Sequence, residues 1–211
     1  MLRRLFLSRL AASTALVGPA RQVSAASQSI LPQPAPLRHP QDAWLDQTSA
    51  RHKVVFDTWF SDRFNESAAF AANFFRINKT EYGLADADLA VVLVLRHGTG
   101  PYAFNEAIWA KYGEYFAAHQ SGADVKAHPN PATNIYAARL TAMVKQGLQL
   151  AVCNLTTHGL AQALAKDRGT DADAVYKELT SNTLGNAHFV PAGVVAVTRA
   201  QEHGYALVSV G

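Results

Sequence analysis

The chain has 211 residues, of which 49% are hydrophobic and 17% are charged. This length suits one domain of ordinary size, and the apolar fraction is high enough for a packed core, which excludes a wholly disordered chain. A single cysteine excludes an internal disulfide framework and any metal site that needs four cysteines. The formal charge of +3 and the pI near 9.1 raise the question of nucleic-acid binding, because basic proteins bind phosphate backbones.

The basic excess lies at the N-terminus. Residues 1–25 contain four arginines and no acidic residue, and the first carboxylate of the chain is Asp42. Without these arginines, 15 basic residues face 16 acidic ones, so the rest of the chain carries a formal charge of −1. The distribution favours a targeting segment over a nucleic-acid partner, and no nucleic acid is expected.

Residues 1–25 have the pattern of a signal peptide. A basic start precedes a short apolar stretch over residues 10–17, and the small residues VSAAS offer a cleavage site. Residues 3–7 (RRLFL) resemble the twin-arginine consensus, which predicts a periplasmic or secreted protein. A mitochondrial transit peptide is the alternative, because such peptides are also rich in arginine and serine. The apolar stretch is far shorter than the roughly 20 residues of a membrane span, and no span is expected in the mature form.

Residues 26–50 contain four prolines and no hydrophobic periodicity, which predicts an extended tether. Trp44 and Leu45 are its candidates for docking on the folded domain. From residue 51 to residue 211, short apolar runs alternate with amphipathic stretches, as expected for a single α/β domain.

The apolar runs predict five strands, over residues 53–59, 89–95, 148–153, 187–191 and 205–210. The amphipathic stretches predict six helices, over residues 62–78, 103–118, 136–146, 155–166, 171–183 and 193–202. In the first helix a core-facing side is predicted from apolar residues at helical spacing: Phe64, Ala68, Phe70, Ala71, Phe74 and Phe75. Strands that alternate with helices imply a mainly parallel sheet covered on both faces, here a three-layer flavodoxin-like sandwich.

Two residues with reactive side chains are predicted at the carboxyl ends of strands, where such sheets bind ligands. Cys153 ends the third strand directly before a helix that begins at Asn154. The unpaired amides and dipole of a helix N-terminus favour an anion, so we expect the pKa of this thiol to be lowered and Cys153 to act as a nucleophile or sulfur acceptor. The alternative is a small buried core residue, because free cysteine is among the most buried residue types.

His97 ends the second strand, and Gly98 follows it in the segment RHGTGPY. Glycine allows a tight turn and a close approach of the backbone to a ligand, so His97, Gly98 and Asn154 are candidate ligand-binding residues. The alternative for His97 is a strand-end histidine that bonds the loop backbone. The histidines of the chain lack ligand spacing and neighbouring carboxylates, and neither a metal site nor a cofactor is predicted.

Three segments together resemble the DsrE/DsrF-like family, with the YchN-type fold: VVLVLRHGTG over residues 91–100, NPATNIYAARLTAMVKQGLQLAVCNLTTHGL over residues 130–160 and VPAGVVAVTRAQEHGYALVSV over residues 190–210. The family pattern has a strand that ends in His-Gly, then an asparagine-containing loop and a helix. A strand that ends in Val-Cys follows, and the last helix ends in a Q-x-x-G-Y-A segment. The resemblance covers nearly the whole domain.

This resemblance implies a function for Cys153. Sulfur-relay members of the family carry a persulfide on a cysteine just after a strand, and Cys153 occupies the corresponding position. Asn154 and the two threonines that follow depart from the small apolar residues of the relay type. The resemblance also implies homo-oligomers, as trimers or hexamers, and a sulfur donor or small molecule as ligand. A non-catalytic oligomeric module that binds a small molecule or a protein, with a structural Cys153, remains the alternative.

Overall fold

Five parallel strands form the central sheet of the computed structural model, which describes residues 35–46, 49–120 and 122–210. The strands are β1 (His52–Thr58), β2 (Leu89–Leu95), β3 (Gln149–Cys153), β4 (Ala187–Val190) and β5 (Ala206–Val210). Their order across the sheet is β4-β3-β2-β1-β5. The prediction of an α/β fold with a five-stranded parallel sheet is confirmed. The predicted signal peptide, residues 1–25, lies outside the described residues.

The middle of the sheet is β2, whose sequence LAVVLVL is buried at every position. It pairs with β1 on one side and with β3 on the other. A continuous apolar run of this kind is typical of a parallel strand with both faces covered, because alternation with polar residues would leave polar groups in the core.

Seven helices of the described residues follow the strands: α1 (Phe64–Tyr82), α2 (Glu106–His119), α3 (Ala123–Lys126), α4 (Ala137–Val144), α5 (Asn154–Arg168), α6 (Ala172–Ser181) and α7 (Gly193–Glu202). The helix predicted over residues 103–118 begins three residues later than expected. Residues His97–Ala103 form a 3-10 helix, and the side chain of Asn105 then accepts hydrogen bonds from the backbone N–H groups of Ala107 and Ile108. This cap starts α2.

The connections explain why the two faces of the sheet differ. The three steps from β1 to β4 run in one direction, and right-handed crossovers then put α1 to α6 on one face. The step from β4 to β5 runs back across the sheet, which puts α7 on the other face. We call these the α1 face and the α7 face. The three-layer arrangement that the sequence predicts is therefore present.

The α7 face is covered by one helix and, in addition, by the segment of the chain before β1. Residues Pro40–Asp46 form a 3-10 helix, called the strap below, whose Leu45 is buried in the α7-face core. The hydroxyl of Tyr205 donates to the Leu45 carbonyl, and Trp44 stacks on His188 at 4.3 Å. The predicted tether, residues 26–50, therefore ends in packed structure, while residues 26–34 lie outside the described part.

None of the helices in the described residues combines the length and the apolarity that a membrane span requires.

Candidate functional site

The sheet has one position where neighbouring strands send their helices to opposite faces. From β3 the chain enters α5 on the α1 face, and from β4 it enters α7 on the other face. Ligands of open α/β sheets bind in the crevice at such a switch point, outside the carboxyl ends of the strands. Cys153, the last residue of β3, is paired in register with Val190, the last residue of β4. The single cysteine therefore lies at the switch point.

Cys153 is also the N-cap residue of α5, in an extended conformation, and is 5% exposed. The hydroxyl of Thr157 donates to the Cys153 carbonyl at 3.0 Å, which fixes the backbone where the strand becomes a helix. The first N–H groups of a helix have no partner within the helix, and the helix dipole favours negative charge beside them. An anion bound at this helix end would be stabilised by these groups.

A positive charge from β2 lies beside the thiol. Arg96 follows β2 and makes a two-point salt bridge to Asp57 of β1, from Nε to Oδ1 at 2.8 Å and from Nη2 to Oδ2 at 2.9 Å. Its guanidinium also stacks on the ring of Trp59 at 4.7 Å. The pKa of Arg96 is raised, mainly by the hydrogen bonds to Asp57 and to a smaller extent by the negative charge of a Cys153 thiolate.

The arginine is held in a nearly buried position. The side chains of Arg96 and Asp57 are 17% and 11% exposed. The Nη1 group of Arg96 makes no hydrogen bond to the described residues, so it can donate to an added anion. Two-point contact with Asp57 keeps this donor in one orientation, because the planar guanidinium and carboxylate match each other.

Gly193, the first residue of α7, leaves room for the Arg96 side chain to pack against the backbone of α7. A Cβ atom at this position would be 2.7 Å from Cδ and 2.9 Å from Cβ of Arg96. Any side chain larger than that of glycine would therefore push against the arginine. The N-terminus of α7 and the Arg96 side chain approach each other at the switch point for this reason.

His97 has the left-handed backbone conformation, with φ of 50°, which is uncommon for a residue other than glycine. Its N–H group donates to Oγ1 of Thr156 in the first turn of α5, so the loop after β2 is tied to the helix that follows Cys153. The residue itself is exposed. Sequence reasoning assigned the tight turn to Gly98; the structure places the unusual conformation one residue earlier.

The other two predicted binding residues have partners away from the thiol. A Cβ atom at Gly98 would be 3.2 Å from Oγ of Ser61 and 3.2 Å from the Gln120 carbonyl oxygen, so this glycine permits close packing with those residues. The Asn154 side chain accepts a hydrogen bond from the Tyr176 hydroxyl at 2.7 Å, which joins α5 to α6.

Sequence reasoning missed Arg96, Asp57 and Gly193. A signal for the pair existed, because Asp57 is a charged residue inside an apolar strand and a buried carboxylate needs a cation. Its partner is 39 positions away, and only the pairing of β1 with β2 brings the two together. Among the described residues, no group of three or more His, Cys, Asp or Glu residues is arranged to hold a metal ion.

No protein-family model matches the chain. No curated protein shows a significant match. Among solved structures, the chain is similar to a protein of unknown function, MTH1491, from Methanobacterium thermoautotrophicum. The two share 16% sequence identity with a TM-score of 0.41, over 75% of this chain and 98% of that chain. The fold class follows from the strand order and the layers described above.

Proposed function

We propose that this chain is an exported DsrE-like protein that carries sulfane sulfur as a persulfide on Cys153. The observation that supports this proposal most is the position of the one cysteine. Cys153 caps α5 at the switch point of the sheet, next to a fixed arginine. Thiolates and persulfides are anions, and both helix ends and guanidinium groups stabilise anions.

The transfer step needs no oxidant. The Cys153 thiolate attacks the outer sulfur of a donor persulfide, R–S–SH, and a new S–S bond forms on Cys153 while the S–S bond of the donor breaks. The donor leaves as the thiolate R–S⁻, and the proton stays on the transferred sulfur. Attack by an acceptor thiolate on the same outer sulfur reverses these events and empties Cys153.

Each neighbouring group has a role in this step. The N-terminus of α5 and the Arg96 guanidinium stabilise the thiolate before attack and the negative charge carried by the two sulfurs during transfer. Asp57 and Trp59 hold the guanidinium in place. Since Cys153 is 5% exposed, small sulfur donors fit this site better than large ones.

The remaining parts of the proposal come from the sequence. The twin-arginine-like segment over residues 3–7 supports export to the periplasm or the medium. The family resemblance supports a homo-oligomer, as a trimer or a hexamer. Transfer between proteins then depends on a partner thiol, because the chain has no second cysteine that could take the sulfur.

The second candidate is a non-catalytic oligomeric module in which Cys153 only fills space. Its burial favours this role, since buried free cysteines pack as small apolar residues. A cavity of about 390 Å³ lies between the strap and β4; Trp44 and His188 are among its lining residues, and Cys153 is not. A small ligand bound in that cavity would leave Cys153 without a chemical role.

The two candidates differ in what is bound to Cys153 in the cell. Wild-type protein isolated under non-reducing conditions should contain cyanide-labile sulfur and show a mass increase of one sulfur atom. Both signals should be absent from Cys153→Ser, which has no thiol. A native protein with no added sulfur and a thiol that resists alkylation until the chain unfolds would support the second candidate. In that case Cys153→Ser should retain assembly and ligand binding.

A further inference from the structure

The cavity between the strap and β4 is lined by a buried carboxylate that accepts no hydrogen bond from the described residues. Asp42 of the strap is one of its lining residues, and the Asp42 side chain is 8% exposed. Its Oδ2 atom is the only buried side-chain nitrogen or oxygen without a hydrogen-bond partner in the described part of the chain. Such a group is costly, because it has lost contact with water without gaining a donor. The strap therefore holds an acceptor that the fold itself leaves unsatisfied.

The neighbouring arginine does not supply the missing donor. Nε of Arg199 in α7 lies 3.8 Å from Oδ2 of Asp42, which is too far for a hydrogen bond. The same guanidinium donates from Nη1 to Oε2 of Glu202 at 2.6 Å. One positive charge thus faces two negative charges in this group of three side chains. The excess of negative charge favours a cation beside Asp42.

His188 of β4, which also lines the cavity, offers a second acceptor. Gln149 of β3 donates from Nε2 to the Gly147 carbonyl at 3.2 Å, so its Oε1 atom is the one that lies 2.8 Å from Nε2 of His188. The imidazole therefore donates from Nε2, and burial lowers the pKa of His188, which keeps the ring neutral at pH 7. Its Nδ1 atom carries a lone pair and makes no hydrogen bond to the described residues. This atom can accept a hydrogen bond from a ligand.

Much of the remaining lining of the cavity is apolar. Trp44 stacks on His188 with their ring planes 9° apart, and Val190 and Pro191 are further lining residues. Asp42 is the only charged residue among the described residues that line the cavity. The volume of about 390 Å³ is near the small end of the range of ligand sites, about 300–1,000 Å³. These properties fit a small molecule with one cationic end and an apolar body.

We propose that this cavity binds a small organic amine in its protonated form. The ammonium group donates hydrogen bonds to the Asp42 carboxylate and to Nδ1 of His188, and the apolar body of the amine lies against Trp44. An ammonium suits this site better than a hydroxyl, because it adds Coulomb attraction to the hydrogen bond with a buried carboxylate. An anion would meet the uncompensated negative charge of Asp42 and is disfavoured.

This inference goes beyond sulfur transfer at Cys153. It deepens the second candidate function and rests on it, because it names the class of ligand that the cavity takes. Cys153 is not among the lining residues of the cavity. Amine binding and sulfur on Cys153 are therefore measured separately, and failure of one test does not decide the other.

Isothermal titration calorimetry of the full chain with phenethylamine tests the site. At neutral pH the amine should bind one site per chain, about tenfold or more tightly than phenethyl alcohol, and phenylacetate should not bind. Asp42→Asn keeps the shape of the side chain and removes its charge, so it should weaken amine binding about tenfold to a hundredfold. Asp46→Asn is the matched control, because Asp46 lies on the same strap, bonds His203 and does not line the cavity. This control should bind the amine as tightly as wild type does.

Hydrogen exchange of wild type gives a second measurement that needs no variant. Phenethylamine should slow the exchange of the amides of the strap and β4, whereas phenethyl alcohol at the same concentration should not. Amine binding that Asp42→Asn leaves unchanged would overturn the inference, because the ligand would then lie elsewhere. Equal binding of amine and alcohol would overturn it too. Wild type that binds no amine would also overturn it, and a lower free energy of unfolding in Asp42→Asn would then assign the carboxylate to a structural contact with Arg199.

Discussion

The two ends of the sheet use charged residues for different purposes. At the amino end, Asp46 of the strap lies 2.7 Å from the nearly buried ring of His203, and this contact closes the strap over the α7 face. At the carboxyl end, Arg96 pairs with Asp57, and its Nη1 group makes no hydrogen bond to the described residues. The partly exposed contact of Asp46 with His203 thus holds the strap over the core, whereas the nearly buried Arg96–Asp57 pair fixes a cation at the end of the sheet that carries Cys153.

The largest effect is expected from Arg96→Met, which leaves Asp57 buried without its cation. Loss of one partner of a buried pair costs about 3–5 kcal/mol in the free energy of unfolding. Urea unfolding should show this loss, and Arg96→Met with Asp57→Leu should recover much of it. The rate of Cys153 alkylation should fall in both variants, because both lack the guanidinium. A loss of stability well below that range in the single variant would show that the pair does not organise the carboxyl end.

A substitution in the strap should lower the stability of the protein without changing the reactivity of Cys153. Leu45→Ala removes a buried side chain from the α7-face core and should lower the free energy of unfolding by about 2–5 kcal/mol. Alkylation of Cys153 in the folded protein should keep its wild-type rate, since among the described residues the strap makes no hydrogen bond or salt bridge to Cys153 or Arg96. A large change in that rate would mean that the strap at the amino end of the sheet is coupled to Cys153 at the carboxyl end.

Two glycines distinguish close packing at the site from ordinary helix propensity. Gly193→Ala should destabilise the protein by about 1–3 kcal/mol, because the new methyl group overlaps the Arg96 side chain. Gly159→Ala in α5 is the matched control: no atom lies within 4 Å of its Cβ position, and alanine should add about 0.5–1 kcal/mol of stability there. Thermal unfolding measures both, and equal effects would contradict the close approach of α7 to Arg96.

The smallest effect concerns pH at the amino end. The hydrogen bond with His203 holds the pKa of Asp46 below its ordinary value of 3.8. A carboxylate whose pKa is lowered by folding contributes stability above the unfolded pKa and loses it as the pH falls through the folded pKa. Unfolding measured below pH 3.8 should therefore be less sensitive to pH in Asp46→Asn than in wild type. Identical pH profiles of the two proteins would show that Asp46 does not contribute to the pH dependence of stability.

The order of elements could be predicted because each depends on local pattern. The run LAVVLVL is buried throughout in β2, and the helix predicted over residues 193–202 is α7 with the same bounds. Two features depend on distant parts of the chain and could not be predicted this way. Phe70 has core spacing but is 46% exposed, because the buried side of α1 is formed by other residues, among them Phe64, Ala71 and Phe75. The strap is rich in polar residues, yet its Asp42 and Leu45 are buried, because α7 alone cannot cover its face of the sheet.

The candidate site shows the same limit. Cys153 could be placed at a strand end from the apolar run before it, and the structure agrees with that position. The position of β4 next to β3 makes this strand end the switch point, and that depends on the crossover of α7. The Arg96–Asp57 pair depends on the register of β1 with β2. The local sequence was thus enough to place Cys153 at a strand end, whereas the switch point and the Arg96–Asp57 pair depend on the topology of the sheet.

The central claim is that Cys153 accepts sulfur, and loading of the reduced protein tests it most directly. The reduced full chain is mixed with a small organic persulfide, freed from excess donor and weighed by native mass spectrometry. Wild type should gain one sulfur atom per chain and return it to a small thiol, whereas Cys153→Ser should gain none. Wild type that gains no sulfur, while its thiol titrates normally after unfolding, would contradict the claim.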